Sequence, residues 1–110
     1  MKFNLALNYG GKMDFVYACK SIAKGIKNEK ILLNEINENL FEEHLLSKEV
    51  SAIDLLIRTS GEYRVSNFLL WQIAYSEIFF EKKLWPDFKE NDYNKILEKF
   101  KKIKRNYGNI

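Results

Sequence analysis

The feature that most constrains this fold is a nine-residue polar stretch, residues 58–66, which lies between two apolar runs. The first run, residues 55–57, is short and branched, which is typical of a buried strand. The second run, residues 68–71, has the length and spacing of a helix start. A strand that passes through a glycine-containing loop into a helix is typical of an open α/β sheet, where ligands bind at such a loop.

The composition of this loop suits an anion. It contains two arginines, Arg58 and Arg64, together with three Ser/Thr hydroxyls and one glycine. A helix N-terminus offers unpaired N–H groups and partial positive charge, and arginine adds a planar fork of donors that matches phosphate oxygens. The stretch therefore predicts a phosphate or diphosphate cradle. The alternative is that an arginine pairs with the nearby Glu62, and on the residues alone both interpretations stay open.

Composition limits the class of protein. The 110 residues are 46% hydrophobic, which is enough for one small domain with one core. The net charge of +3 fits an anionic small molecule or a membrane surface without requiring either. The single cysteine, Cys19, excludes an internal disulfide and a cysteine metal cluster, so a reducing compartment is expected. No apolar run reaches the length of a membrane span, and no signal-peptide pattern follows Met1.

Periodicity predicts the order of the elements. Short apolar or alternating runs predict strands over residues 3–8, 55–57 and 78–80. Helical spacing predicts helices over residues 12–27, 31–47 in pieces, 67–75 and 91–105.

For four single residues, the sequence favours a structural role or does not decide between a structural and a functional role. Cys19 falls on the apolar face expected for the first helix and is interpreted as an inert core thiol. His44 is expected to be partly exposed, because no partner is spaced for a catalytic triad or a metal site. The Ser66 hydroxyl fits a helix N-cap or a phosphate contact, and the sequence does not separate the two roles. Glu77, at the end of a predicted strand, is most simply a solvated residue.

A resemblance to a known family covers nearly the whole chain. It is carried by the run DLLIRTSGEYRVSNFLLWQ at residues 54–72, and it continues through residues 73–77, 84–88 and the Asn-Tyr-Gly-Gly segment at residues 8–11. These segments resemble the signature of the cis-prenyltransferases, in particular the bacterial undecaprenyl diphosphate synthases, which are also called isoprenyl transferases. The resemblance extends over about the C-terminal half of the family pattern.

The resemblance implies a fold, a reaction and a site. The implied fold is α/β, a mostly parallel sheet with flanking helices, in which residues 1–110 form a single partial domain. The implied reaction condenses isopentenyl diphosphate with an allylic diphosphate to make cis-polyprenyl diphosphate, the undecaprenyl-type carrier lipid of cell-wall synthesis. The residues matching Arg58, Arg64 and Ser66 hold the isopentenyl diphosphate, with the backbone of Val65 nearby. The match to Glu77 joins a Mg²⁺ site, often from the partner subunit of a homodimer.

The sequence also departs from the family pattern. It lacks the Asp-Gly-Asn-Gly-Arg-like segment that binds Mg²⁺ and the allylic diphosphate, so we expect no catalytic residue in this chain and a C-terminal fragment that is inactive alone. Lys12 stands where the family commonly has an arginine, which keeps the charge but loses the bidentate fork.

Two alternatives to a transferase remain open from the sequence. One is a non-catalytic partner subunit of a cis-prenyltransferase, and the other is an unrelated anion-binding module. No nucleic-acid motif is present, so no nucleic-acid partner is expected. The expected location is cytoplasmic, with membrane contact through the product left open.

Overall fold

Two short parallel strands organise the second half of the chain. Strand β1 spans Leu55–Arg58 and strand β2 spans Glu77–Phe80. They pair in register, with Leu55 opposite Glu77 and Arg58 opposite Phe80. Parallel strands need a long crossover connection, and residues 59–76 provide it.

Helices and turns make up the other regular structure. The structure, a computed structural model, describes residues 1–109. Its three α-helices are α1 (Gly11–Lys27), α2 (Glu38–Glu43) and α3 (Glu90–Lys101), and short 3₁₀ turns lie at Leu33–Glu35 and Trp85–Asp87. Among the residues described, no helix combines the length and the hydropathy that a membrane crossing requires.

The chain divides into two compact units. The first contains Met1–Ser51 and Asn67–Trp71, and the second contains Ala52–Ser66 and the residues from Gln72 onward. The sequence-based prediction of one partial domain over residues 1–110 stays a prediction.

The first unit is built on the buried face of α1, whose members follow one another at helical spacing: Gly11, Asp14, Ala18 and Ile22. Aromatic rings join α1 to α2, because the Phe15 ring lies 5.8 Å from Phe41 and 6.2 Å from Trp71. The indole of Trp71 also donates a hydrogen bond of 3.1 Å to a carboxylate oxygen of Glu42. This packing places an apolar cluster between the two helices.

A buried carboxylate ties three segments of this unit together. Asp14 accepts from the Tyr9 hydroxyl at 2.9 Å, from the Leu46 amide at 2.6 Å and from the Ser47 hydroxyl. A buried charge is tolerated only when it is hydrogen-bonded in this way. Asp14 therefore joins the turn before α1 to the segment after α2.

Most of the predicted elements are confirmed. Strands occur over residues 55–58 and 77–80, and a helix over residues 11–27. The region 31–47 is helical in pieces, as expected, and the last helix forms but ends at Lys101. His44 is partly exposed, and its Nδ1 lies 2.7 Å from the Ser21 hydroxyl.

The strand predicted over residues 3–8 is wrong. These residues have no regular secondary structure, and Phe3, Leu5 and Leu7 are exposed. A strand needs a neighbouring strand to take its backbone hydrogen bonds, and within the described residues none pairs with this segment.

The helix predicted over residues 67–75 is also wrong, because this region consists of turns. Ser66, Asn67 and Leu69 have φ values of +50°, +63° and +42°, which a right-handed helix does not contain. Asn67 instead caps α1: its carbonyl accepts from the Gly11 amide at 2.7 Å, and its side chain accepts from the Lys12 amide at 2.9 Å. A tertiary contact has replaced local helix formation.

The interpretation of Cys19 as a core thiol is wrong, since this residue is exposed. The prediction assumed that apolar residues mark the buried face of α1. The buried face of α1 includes the polar Asp14, whose carboxylate accepts hydrogen bonds from other segments. This face contains Ala18 and not Cys19. Consecutive helical residues are about 100° apart around the axis, so Cys19 turns outward.

The Tyr9–Asp14 contact predicts a pH dependence of stability. Burial, followed by the hydrogen bond to Asp14, raises the pKa of Tyr9 to about 12. The folded state thus prefers the protonated phenol, so this contribution is complete below about pH 10 and is lost as the pH rises through about 12. We expect the free energy of unfolding, measured with urea, to fall over this interval.

Substitution of Tyr9 by Phe should remove the part of the fall in the free energy of unfolding with pH that comes from Tyr9. Tyr17→Phe, at an exposed position of α1, is the matched control and should keep it. Equal slopes for the wild-type chain and Tyr9→Phe would contradict the assignment.

Candidate functional site

Arg58 is the last residue of β1 and lies at the carboxyl end of the parallel pair. Its Nε atom is buried and has no hydrogen-bond partner among the described residues. Buried donors in folded proteins nearly always have a partner, so an orphaned guanidinium N–H needs an explanation. A bound anion at this strand end would satisfy it.

The loop after β1 folds back along the residues that follow β2. The Ser60 amide donates to the Lys83 carbonyl at 2.7 Å, and the Gly61 amide donates to the Glu81 carbonyl at 2.9 Å. Both loop residues have left-handed φ values, +73° and +69°. The loop consequently lies at the carboxyl end of both strands, which is the edge where open α/β sheets bind ligands.

An aromatic contact fixes the middle of the loop. The Tyr63 ring lies 5.1 Å from the ring of Phe80, the residue opposite Arg58 in the register. Tyr63 therefore lies at the same strand ends as Arg58, and the three residues that follow it are Arg64, Val65 and Ser66.

Arg64 forms an ion pair with Glu62, which the sequence had offered as the alternative to anion binding. Its Nη2 lies 2.5 Å from Oε2 of Glu62, and the two side chains are 66% and 41% exposed. Exposed ion pairs of this kind contribute little to stability. An incoming phosphate could therefore replace Glu62 at small cost.

The other two predicted contacts lie on the same loop. Val65 is half-buried and Ser66 is exposed. The N-cap interpretation of Ser66 is wrong, because residues 67–75 form turns and not a helix, and because the φ of Ser66 is +50°. The last residue of β1 and the loop after it thus carry the four predicted contacts, Arg58, Arg64, Val65 and Ser66, in one continuous segment.

Glu77 lies at the other end of the sheet. It is the first residue of β2 and pairs with Leu55, three positions from the pair that contains Arg58, which is a separation of about 10 Å along the strands. Its side chain is 33% exposed. Within one chain, the predicted metal ligand and the predicted cradle are therefore separated.

The residues present fit Mg²⁺ only in part. Among the described residues, no group of three or more His, Cys, Asp or Glu side chains could hold a metal ion. Mg²⁺ usually takes one or two carboxylates and completes its shell with water and phosphate oxygens. Glu77 fits the role of one such carboxylate, and the remaining ligands must come from elsewhere.

Arg105 is a residue whose importance sequence reasoning missed. It falls at the end of the helix predicted over residues 91–105, but α3 ends at Lys101 and the Arg105 side chain is only 13% exposed. Its Nη1 donates to Oδ1 of Asp54 at 2.6 Å, and its Nε lies 3.9 Å from Oε1 of Glu77.

The whole candidate site lies within the part of the chain that is similar to known proteins. The family model for undecaprenyl diphosphate synthase matches residues 1–108. The chain is 47% identical over 108 residues to the ditrans,polycis-undecaprenyl-diphosphate synthase ((2E,6E)-farnesyl-diphosphate specific) of Pasteurella multocida, covering 98% of this chain and 45% of that protein. It is 46% identical over 110 residues to the isoprenyl transferase of Bacillus subtilis, covering 100% and 42%.

An archaeal relative and a solved structure agree with this. The tritrans,polycis-undecaprenyl-diphosphate synthase (geranylgeranyl-diphosphate specific) of Sulfurisphaera tokodaii is 49% identical over 107 residues, covering 97% of this chain and 41% of that protein. Lavandulyl diphosphate synthase from Lavandula x intermedia, solved in complex with dimethylallyl diphosphate, matches with a TM-score of 0.89 and 39% identity, covering 94% and 44%. The structural match confirms the predicted α/β fold class. The chain spans less than half the length of each of these relatives.

Two substitutions test the geometry of the loop. Gly61→Ala should lower the free energy of unfolding by about 1 kcal/mol, because an L-residue is strained at a left-handed φ. A Cβ there would lie 3.9 Å from the Lys82 carbonyl oxygen, so steric clash adds nothing. Ser60→Gly should raise the free energy of unfolding by about 0.5 kcal/mol, because glycine adopts the left-handed φ of this position without strain. Urea unfolding that showed the same sign for both variants would contradict this loop conformation.

Proposed function

The chain belongs to the undecaprenyl diphosphate synthase family, and from this premise we propose that it forms the isopentenyl diphosphate side of a cis-prenyl transfer site. The observation that carries the proposal is the buried Nε of Arg58 at the carboxyl end of β1, for which residues 1–109 provide no hydrogen-bond partner. The same loop holds Arg64, Val65 and Ser66. Guanidinium groups bind diphosphate oxygens through paired, charge-assisted hydrogen bonds.

Arg58 and Arg64 have different roles in this proposal. Arg58 is anchored in the sheet, so its position is preorganised and its N–H gains a partner when the diphosphate binds. Arg64 is exposed and paired with Glu62, so it must exchange one anion for another. Val65 contributes its backbone, and the Ser66 hydroxyl can donate to a phosphate oxygen.

The reaction class follows from the family. The double bond of isopentenyl diphosphate attacks the allylic carbon of the second substrate, whose C–O bond to diphosphate breaks, and a proton is then lost. The residues of this chain bind and orient the isopentenyl unit and stabilise the negative charge of its diphosphate. Mg²⁺, when bound, would neutralise phosphate charge, with Glu77 as one of its ligands.

The names of the relatives support the substrate class. Two are named as specific for farnesyl diphosphate and geranylgeranyl diphosphate, and the solved neighbour is a complex with dimethylallyl diphosphate. We take an allylic prenyl diphosphate as the second substrate and an undecaprenyl-type carrier lipid as the product of the complete site. A homodimer, a cytoplasmic location and membrane contact through the product belong to the same proposal and rest on the family resemblance.

Isopentenyl diphosphate binding to the 110-residue chain tests the cradle. Arg58→Ala should raise the dissociation constant, measured by calorimetry without metal, by about 10- to 100-fold, because a charged, buried hydrogen bond to the diphosphate is lost. Glu62→Gln should strengthen binding by about two- to fivefold, because Arg64 no longer has a competing carboxylate. Lys99→Ala, which removes an exposed cation of α3, is the matched control. Unchanged affinity in Arg58→Ala would refute the proposed cradle.

A turnover assay tests whether this chain binds isopentenyl diphosphate without catalysing the condensation. With farnesyl diphosphate, labelled isopentenyl diphosphate and Mg²⁺, the 110-residue chain should bind isopentenyl diphosphate without forming product. The physical reason is that the sequence holds no Asp-Gly-Asn-Gly-Arg-like segment to bind the allylic diphosphate. Incorporation of label into a prenyl product would show that the missing groups are replaced within this chain.

A further inference from the structure

The register of β1 and β2 assigns the side chains of the two strands to the two faces of the sheet. Successive residues of a strand point to opposite faces, and residues that pair in register point to the same face. Arg58 pairs with Phe80, so their side chains lie on one face at the carboxyl end of the sheet. Glu77, three positions before Phe80, points to the opposite face. The buried arginine donor therefore has an aromatic neighbour on its own face.

A second aromatic ring lies beside Phe80. The ring centres of Tyr63 and Phe80 are 5.1 Å apart, and their planes are inclined by 46°. Tyr63 is 69% exposed and Phe80 is 40% exposed, so each ring keeps a surface that the described residues leave uncovered. Backbone bonds from Ser60 and Gly61 hold this loop against the residues that follow β2. We call the two rings the aromatic platform, which the fold holds beside Arg58 and leaves open.

The aromatic platform and Arg58 together suit a ligand with an apolar part and an anionic part. The buried Nε of Arg58 finds no acceptor within residues 1–109, and a phosphate oxygen supplies one. The adjacent rings offer apolar surface, which is unfavourable to leave in water. Inorganic phosphate would satisfy the arginine alone, and an apolar peptide would cover the rings alone.

We propose that the aromatic platform binds the five-carbon tail of isopentenyl diphosphate while Arg58 binds its diphosphate. This inference rests on the proposed function, because it takes Arg58 as a residue of the cradle. It goes further by assigning Tyr63 and Phe80 to recognition of the hydrocarbon, which distinguishes a prenyl diphosphate from a diphosphate with a small substituent. Arg58 and Arg64 recognise only the group that all diphosphates share.

The exposed apolar surface continues along β2. Ile78, which is 38% exposed, lies two residues before Phe80 on the same face, a distance of about 7 Å along the strand. A tail that leaves Arg58 across Phe80 therefore runs toward the amino end of β2. Hydrogen bonds to the head are directional and fix the position of the ligand, whereas apolar contact with the tail is non-directional and adds affinity.

A second copy of the chain is the competing occupant of the aromatic platform. Within the described part of the chain, β2 pairs only with β1, so its other edge is available to another strand. Apolar contact with a copy would cover the rings and leave the Nε of Arg58 without an acceptor, whereas isopentenyl diphosphate accounts for both observations. The two occupants are separated by measuring ligand affinity and self-association in the same variants.

The experiment compares two diphosphates that share their head group. Isopentenyl diphosphate and methyl diphosphate carry the same charge and differ by four carbons of the tail. Their dissociation constants are measured by calorimetry in EDTA for the wild-type 110-residue chain, Tyr63→Ala, Tyr63→Phe and Phe80→Thr, in which threonine suits a strand but removes the ring. Tyr93→Ala is the matched control, because it removes an exposed ring of α3. Urea midpoints verify folding, and sedimentation velocity records self-association.

We expect the wild-type chain to bind isopentenyl diphosphate about tenfold more tightly than methyl diphosphate, because partial burial of the tail favours the longer ligand. The ratio of the two affinities should persist in Tyr63→Phe and Tyr93→Ala, and it should fall to about twofold in Tyr63→Ala and Phe80→Thr. The affinity for methyl diphosphate should stay within about twofold in all variants, since the contacts of the head are intact.

Three results would overturn the role of the aromatic platform. They are equal affinity of the wild-type chain for the two ligands, an undiminished ratio in Tyr63→Ala, and an equal loss of affinity for both ligands in Tyr63→Ala. Reduced self-association in Tyr63→Ala with an unchanged ratio would assign the rings to a second copy of the chain instead.

Failure of the proposed function gives a different result. If the wild-type chain bound neither diphosphate, the cradle would be refuted, and the aromatic platform with it. If the wild-type chain bound both with equal affinity and Arg58→Ala weakened both, the cradle would stand and the aromatic platform alone would be refuted.

Discussion

The parallel register of β1 and β2 is the constraint on which the geometry of the site depends. Because Arg58 pairs with Phe80 and Leu55 pairs with Glu77, the register assigns the guanidinium to one end of the sheet and the carboxylate to the other. A shift of the register would move both groups relative to the loop that follows β1. The backbone bonds from Ser60 and Gly61 extend the same pairing beyond the strands and hold that loop at the carboxyl end.

Each end of the sheet then has its own electrostatic character. At the carboxyl end, Arg58 has a buried donor that no described residue accepts, and Arg64 is paired with the exposed carboxylate of Glu62. At the amino end, Arg105 is surrounded by two carboxylates, a carbonyl and two aromatic rings. The first environment is suited to receive an anion, whereas the second is already satisfied and stabilises the fold.

Much of this arrangement could be predicted from local patterns. The apolar runs at residues 55–57 and 78–80 predicted both strands, and helical spacing predicted α1 and α3, since burial imposes a period that the sequence displays. Arg58 and Arg64 were found because two arginines beside a glycine at a strand end are uncommon. Cys19 was misjudged and Arg105 was not singled out because partners of Asp14 and Arg105 lie far away in the chain, where a local period carries no information about them.

Residue types and their spacing were sufficient to identify an α/β chain of the undecaprenyl diphosphate synthase family and to predict a diphosphate cradle in the loop after β1. The folded chain was needed to show that residues 67–75 form turns, because Asn67 caps α1 through contacts 55 and 56 residues away in sequence. It was likewise needed to show that Glu77 faces Arg105 and not the cradle. Local propensity is a property of neighbouring residues, whereas caps, buried ion pairs and strand register depend on groups that folding alone brings together.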